Sequence, residues 1–451
     1  MILQTDRRLQ ALLGFLVPLL ALLLATAAAC GIAPSPSSSV PPQDSTPAPT
    51  ATIPAETTPS PVVTPIEPGP SFLTLTIWGP EQFSPGEEDS GRKVLQAQYQ
   101  AFADQNEDIG VEFVLKAPYG ESGVLDFLLT ASYAAPSVLP DIAIVDAFQL
   151  GTLVRAGLAR PLHDLIDESF RADLFPFAQE ACTFDGDLMG IQFEADIEHL
   201  IYYTEALELP PATWADLLTG PISYTFPAGG QDGLVNDAFL IQYMAQGGQL
   251  FDEQGQPSLQ PSAVQRVLRL YDAVREWEVS PMRVLEINNL EECWEAYAEG
   301  NITVSHISSW RYLTARDLMQ DTSFAALPTE TGEPATMSRG WAFVIITESP
   351  HRQAAAARLI EWLMAPQNLA EWSREANHIP TRTSALQRTG WPADYISFLQ
   401  TQLQNAFFRP SAQGFEGVAR ALQGSVVDVL TGARTPRQAT NAVMEGFQES
   451  R

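Results

Sequence analysis

The residues that most often carry chemistry are sparse here and badly spaced for it. Cys30, Cys182 and Cys293 lie too far apart for a CxxC metal or redox pair. The five histidines, at 163, 199, 306, 351 and 378, never fall at HExxH or HxH spacing, so no zinc ligand set is expected. There is no G-x-S-x-G nucleophile elbow. Gly86 to Lys93 imitates a phosphate loop, but Arg92 stands where lysine is needed and three acids occupy the phosphate cradle. With 54 Asp and Glu, some carboxylate pair always approaches glycosidase spacing, so acids alone do not argue catalysis. The expectation is a chain that binds, with no metal and no cofactor.

Charge narrows what it binds. Acids outnumber bases 54 to 25, giving a formal charge of −29, and Lys93 and Lys116 are the only lysines. Such a surface repels phosphate backbones and anionic lipid, which excludes nucleic acid and polybasic membrane attachment. At 451 residues and 45% apolar, the chain can bury two or three domain cores without staples. Free, buried thiols are expected at Cys182 and Cys293.

The elements that must position a site alternate between strand and helix. Leu73 to Ile77, Val111 to Leu115 and Ile142 to Val145 read as strands, with helical stripes between them at Leu95, Tyr99 and Phe102 and at Val124, Leu125, Leu128 and Leu129. This βαβαβ order predicts a parallel sheet covered by helices. Ligand then lies beyond the carboxyl ends of the strands, at Trp78, Lys116 to Tyr119, and Asp146. Asp146 can accept hydroxyl hydrogen bonds there or cap the helix beginning near Phe148, and both roles can hold together. Phe226 to Asp232 is a glycine loop ahead of a helix, where Gly229 and its neighbours either offer backbone N–H donors to a ligand or form a plain turn, with Asp232 beside them. Towards the other end the pattern is helical. Pro350 to Met364 carries an apolar side at Ala354, Leu359, Ile360 and Leu363, and Val418, Leu422, Val426 and Leu430 make an i, i+4 stripe.

The first thirty residues read as an address. Arg7 and Arg8 precede an uncharged run from Ala11 to Ala29, then Ala27-Ala28-Ala29-Cys30-Gly31. That ending resembles the lipobox of bacterial lipoproteins, with Ala27 where leucine is usual, and implies signal cleavage after residue 29 and lipidation of Cys30. Residues 31–71 hold 12 prolines and 13 serines or threonines among 41 positions, with three acids and no base. Little there can be buried, so the segment is expected to act as a solvated stalk reaching roughly 130 Å at most. The expected location is extracytoplasmic, tethered to the membrane by lipid alone.

Several segments, taken in order, resemble the extracellular solute-binding proteins of ABC transporters, in the large sugar-binding branch that includes maltose-binding protein. They are the strand ending at Trp78-Gly79, Pro140-Asp141 to Asp146, and Leu153 to Leu158. Then come Asp185-Gly186 to Phe193 running into Leu200 to Thr204, Pro210-Pro211-Ala-Thr213-Trp214, Arg339-Gly340-Trp341 to Ile345, and Ile379-Pro380-Thr381-Arg382. Threonine replaces the usual asparagine at 204, and Arg339 replaces a glycine. The resemblance spans about 72–451. It implies an α/β, two-lobe, periplasmic-binding-protein-like fold of type II, with a ligand cleft between lobes joined by a hinge. One lobe is expected from 72–193 with about 340–391, the other from about 197–335 with 392–451. The crossings fall at Phe193 to Asp196, near Pro334 to Arg339, and near Trp391. It also implies a monomer that captures a carbohydrate or polyol and delivers it to permease subunits. A sensor-associated receptor for a non-sugar solute and a glycoside-processing enzyme are the competing readings.

A sugar offers hydroxyls at its rim and C–H patches on its faces, so its site needs rings and planar polar groups. Trp78 and Asp146 are candidates by position. The resemblance adds Phe193, Glu194 and Asp196 at the hinge, Trp310 with Arg311 as the place of a stacking ring, Gly340 and Trp341, and Arg409 in the last re-entrant segment. Gly340 would let ligand approach the backbone.

Overall fold

The computed structural model describes residues 72–252, 255–280, 283–409 and 414–449. The leader, Cys30 and the stalk expected at 31–71 lie outside the described residues. In chain order the strands are β1 Leu73–Gly79, β2 Ile109–Leu115, β3 Ile142–Asp146, β4 Thr183–Phe184, β5 Asp187–Leu188, β6 Ile191–Gln192 and β7 Glu194–Tyr203. They continue as β8 Tyr224–Thr225, β9 Val304–Ser308, β10 Thr322–Ala325, β11 Thr336–Arg339, β12 Trp341–Ile345, β13 Ile379–Pro380 and β14 Ala406–Phe408.

Two mixed sheets organise these strands, apart from the small β4–β5 hairpin. The first runs β2-β1-β3-β12-β6, with β1 parallel to β2 and β3, and β12 antiparallel to β3 and β6. The helices Ser90–Gln105 and Val124–Ala134 make the crossovers that parallel pairing requires. β3 is apolar and buried from Ile142 to Val145, as expected for a strand with both faces covered. The second sheet runs β14-β11-β7-β9-β8, and β10 and β13 also pair with β7. Each sheet has its own apolar core, one holding Leu75, Ile144 and Val344, the other Leu200, Phe239, Val267 and Leu422.

The chain passes from one sheet to the other between Gln192 and Glu194, and again between Arg339 and Trp341. These passages lie side by side. A Cβ on Gly340 would fall 2.1 Å from the Glu194 carbonyl oxygen and 2.4 Å from Gln192 Nε2. The neighbouring strand therefore demands glycine here, a reason separate from the ligand approach expected from the sequence. A third core, with Phe175, Ala195, Ile197, Ile379, Trp391 and Tyr395, packs around this crossing region. Cys182 and Cys293 are buried free thiols. Among the described residues no helix is long and apolar enough to cross a membrane.

Candidate functional site

Three carboxylates gather where the sheets meet, and each is fixed by backbone. Asp146 ends β3. Its Oδ1 accepts the Phe148 N–H at 2.9 Å, capping the helix Ala147–Arg155, and its Oδ2 accepts the Tyr119 hydroxyl at 2.7 Å. The helix-capping role read from the sequence is present, and the oxygen left for a ligand hydroxyl accepts that of Tyr119. Asp196, on β7, accepts from the Ser309 hydroxyl at 2.7 Å and from the Trp310 N–H at 2.9 Å. That pins the start of the helix Ser309–Ala315, and with it the Trp310 ring.

Glu194 is buried beside them. One oxygen accepts the Trp341 N–H at 2.8 Å, and the other lies 2.9 Å from His378 Nδ1. Burial pushes its carboxyl up, while His378 pulls it back towards the ionised form. Burial and the Asp146 carboxylate likewise push the Tyr119 phenol far above its usual range, so it stays protonated and donates.

These groups line one cleft of about 410 Å³, together with Gln82, Arg339, Gly340 and Trp341. That volume is suited to a small-molecule ligand. Tyr119 and Trp310 bring ring surface to it; Trp310 is 36% exposed. On the other side of the Tyr119–Asp146 pair a second recess is lined by Phe148, Arg155 and Phe415. Phe148 and Phe415 meet edge to face, with centroids 5.3 Å apart.

Of the residues singled out from the sequence, Asp146, Glu194, Asp196, Trp310, Gly340 and Trp341 share the cleft wall. The others do not. Trp78 is in the core, edge-on to Phe127, with Lys116 Nζ 4.5 Å from its ring centre. A tryptophan at a strand end can turn inward, and this one does. Phe193 is stacked on Phe343 at 4.4 Å, inside the first core. Gly229 already donates its N–H to the Ile287 carbonyl at 2.8 Å, and Gln423 binds its carbonyl, so the loop offers no free donor there. Asp232 is an exposed turn residue at φ 55°. Arg311 pairs with Glu291 and lies 5.2 Å from the Trp310 ring centre. Arg409 borders a smaller side pocket next to Arg339 and is bound to Asp237.

Sequence reasoning missed Tyr119, Gln82, Arg339 and His378 as site residues. Tyr119 stood among the strand ends and could have been found by asking which of them were aromatic. His378 reaches the wall through the β13 pairing with β7, a long-range contact with no local signal. No group of three metal-ligating side chains is placed to hold a metal among the described residues.

A family model for bacterial extracellular solute-binding protein matches residues 97–398, well over half the chain. The maltotriose-binding protein of Pyrococcus abyssi (strain GE5 / Orsay) is 22% identical over 324 residues, covering 69% of each chain. Two solved structures share the fold. The cyclic alpha-maltosyl-1,6-maltose binding protein from Arthrobacter globiformis is 19% identical with a TM-score of 0.69, over 84% of this chain and 98% of that one. The sugar-binding protein MalE from Xanthomonas citri is 20% identical with a TM-score of 0.69, over 83% and 96%. The two mixed sheets are thus those of an α/β periplasmic-binding-protein fold.

Proposed function

The chain belongs to the bacterial extracellular solute-binding proteins, and from that premise we propose that it is a receptor for a short maltodextrin-like saccharide, captured by cleft closure and delivered to an ABC importer. It binds and does not catalyse. The observation that carries the reading is the meeting of Trp310 and Tyr119 with Asp146, Glu194 and Asp196 around one cleft. Rings suit the C–H faces of a pyranose, and carboxylates accept its hydroxyls. The similarity to a maltotriose-binding and a cyclic alpha-maltosyl-1,6-maltose-binding relative points the same way.

In this reading one lobe comprises 72–193 with about 340–391, and the other about 197–335 with 392–451. Ligand touches Asp146 and Tyr119 on one side and Trp310 on the other, so it favours the state in which the lobes approach. The receptor acts as a monomer, held outside the cytoplasm by a lipid on Cys30, with the permease as its protein partner.

A thermal-shift and calorimetric screen with maltose, maltotriose, other oligosaccharides and polyols tests this. A ligand at a hundred times its Kd stabilises the native state by about 2.7 kcal/mol, an easily read rise in Tm. Maltotriose should give that rise and compact the protein in solution scattering. No shift with any saccharide would overturn the sugar reading.

A further inference from the structure

The cleft wall is rich in carboxylate acceptors, with Gln82, His378 and the Trp310 and Trp341 indoles as its neutral polar groups. Asp146, Glu194 and Asp196 present carboxylates, and Tyr119 spends its proton on Asp146. Arg339 is the one arginine or lysine among the described residues lining that cleft. A sugar hydroxyl both donates and accepts, so a ligand held by those carboxylates also needs a donor of fixed direction. What fixes Arg339 lies behind the wall. Its Nε donates to Asp237 Oδ2 at 2.5 Å, and Asp237 lines neither cleft nor recess.

Asp237 is 2% exposed and opens the helix Asp237–Ala245. Its other oxygen binds Arg409. Arg409 in turn lies 5.5 Å from the Phe415 ring centre and 5.9 Å from that of Phe148, whose helix follows β3 of the first sheet. Burial alone would push the Asp237 carboxyl up, but the two guanidinium groups override it and hold it down at about 2. It is an anion at every physiological pH. Asp196 and Glu198 also attract Arg339. Without Asp237, the guanidinium would turn to those carboxylates, cancelling both the donor and an acceptor of the wall. A buried ion pair is a weak source of stability, because desolvation offsets the attraction. Its value here is direction.

We propose that Asp237 is a positioning residue for ligand binding, aiming Arg339 into the cleft as a hydroxyl donor and holding Arg409 against the Phe148–Phe415 contact. This rests on the saccharide reading for the ligand, but the aiming of Arg339 can be read without one.

Two measurements on the full chain decide it. Arginine Nε–H resonances of the ligand-free wild type, assigned by the loss of one signal in Arg339→Lys, should show the Arg339 Nε–H protected from solvent exchange. Exchange at the free-solvent rate would overturn the positioning claim whatever the protein binds. Calorimetry with maltotriose then compares Asp237→Asn, Arg339→Gln and the double variant. Each single change should weaken binding about tenfold, the double variant should be no worse than Arg339→Gln within twofold, and Asp237→Glu should recover most of the loss. Additive losses, or unchanged affinity in Asp237→Asn, would overturn it. A wild type that ignores maltotriose would overturn the saccharide reading instead, and the exchange measurement alone then decides the role of Asp237.

Discussion

Replacing Trp310 by alanine separates a ligand-stacking ring from a packing one. A tryptophan side chain carries up to about 250 Å² of surface, and Trp310 leaves 36% of its own exposed at the cleft. About 90 Å² is thus free for a sugar face, and at about 25 cal/mol per Å² its burial contributes about 2 kcal/mol. Losing that weakens affinity roughly thirtyfold. The fold should tolerate the change. Asp196 is bonded to the Trp310 backbone N–H, which alanine keeps, and Arg311 retains Glu291 when the ring is gone. Calorimetric titration with maltotriose reads the affinity, and Tm without ligand reads the fold. Affinity within twofold of wild type, with an unchanged Tm, would refute the stacking role.

Three further outcomes are expected. Burial holds the His199 imidazole down at about 4, against about 6.5 when unfolded. A depressed value means its contribution is complete above pH 6.5 and lost as pH falls towards 4, so urea stability should drop by about 3 kcal/mol across that window; His199→Phe should show a shallower drop. Gly340→Ala drives a methyl into the Glu194 carbonyl oxygen and should either prevent folding or lower Tm sharply, whereas a Tm within about 0.5 °C of wild type, on the order of a few tenths of a kcal/mol for a folded part of this size, would remove the argument for close approach. Cys30→Ala should abolish incorporation of labelled fatty acid, and persistent labelling would exclude Cys30 as the anchor.

What was legible in the sequence is what depends on local pattern. Helix 350–363 and its buried Leu359, Ile360 and Leu363 follow from 3.6-residue spacing. Even there Ala354 is exposed while Ala355, Ala356 and Ala357 are buried, because alanines fit either face and the packing decides. The helix Phe415–Leu430 buries Val418, Leu422 and Val426 as read, then Val429 more fully than Leu430, which is half-buried against the same core, since a strict i, i+4 row drifts around a 3.6-residue helix. The site was legible where a residue's role follows from its place at a strand end, as with Asp146. It was not legible where a neighbour far along the chain decides the orientation. Trp78 turns inward because Phe127 and Lys116 receive it, and Gly229 has spent its N–H on Ile287. No local pattern reports such partners.

The most consequential of these distant arrangements is on β7, whose first residues cross between the sheets. Glu194 holds the Trp341 N–H, on β12 of the first sheet; two residues on, Asp196 holds the Trp310 N–H, in a helix attached to the second. One extended strand therefore carries a carboxylate bound to the backbone of a tryptophan on each side. Alternate residues of a strand face the same way, so both carboxylates reach the cleft together, and both line it. Their hydrogen bonds to backbone leave carboxylate lone pairs for hydroxyls, because a carboxylate has about four acceptor sites. In the proposed closure, a ligand bonded to Glu194 and Asp196 bears on the same strand about which the lobes turn. Its contacts are then made at the pivot, where the least displacement is needed to bring Trp310 onto it. In that proposal the geometry gives Glu194 and Asp196 a role, where composition alone would have left them as solvated surface in a chain with 54 acids.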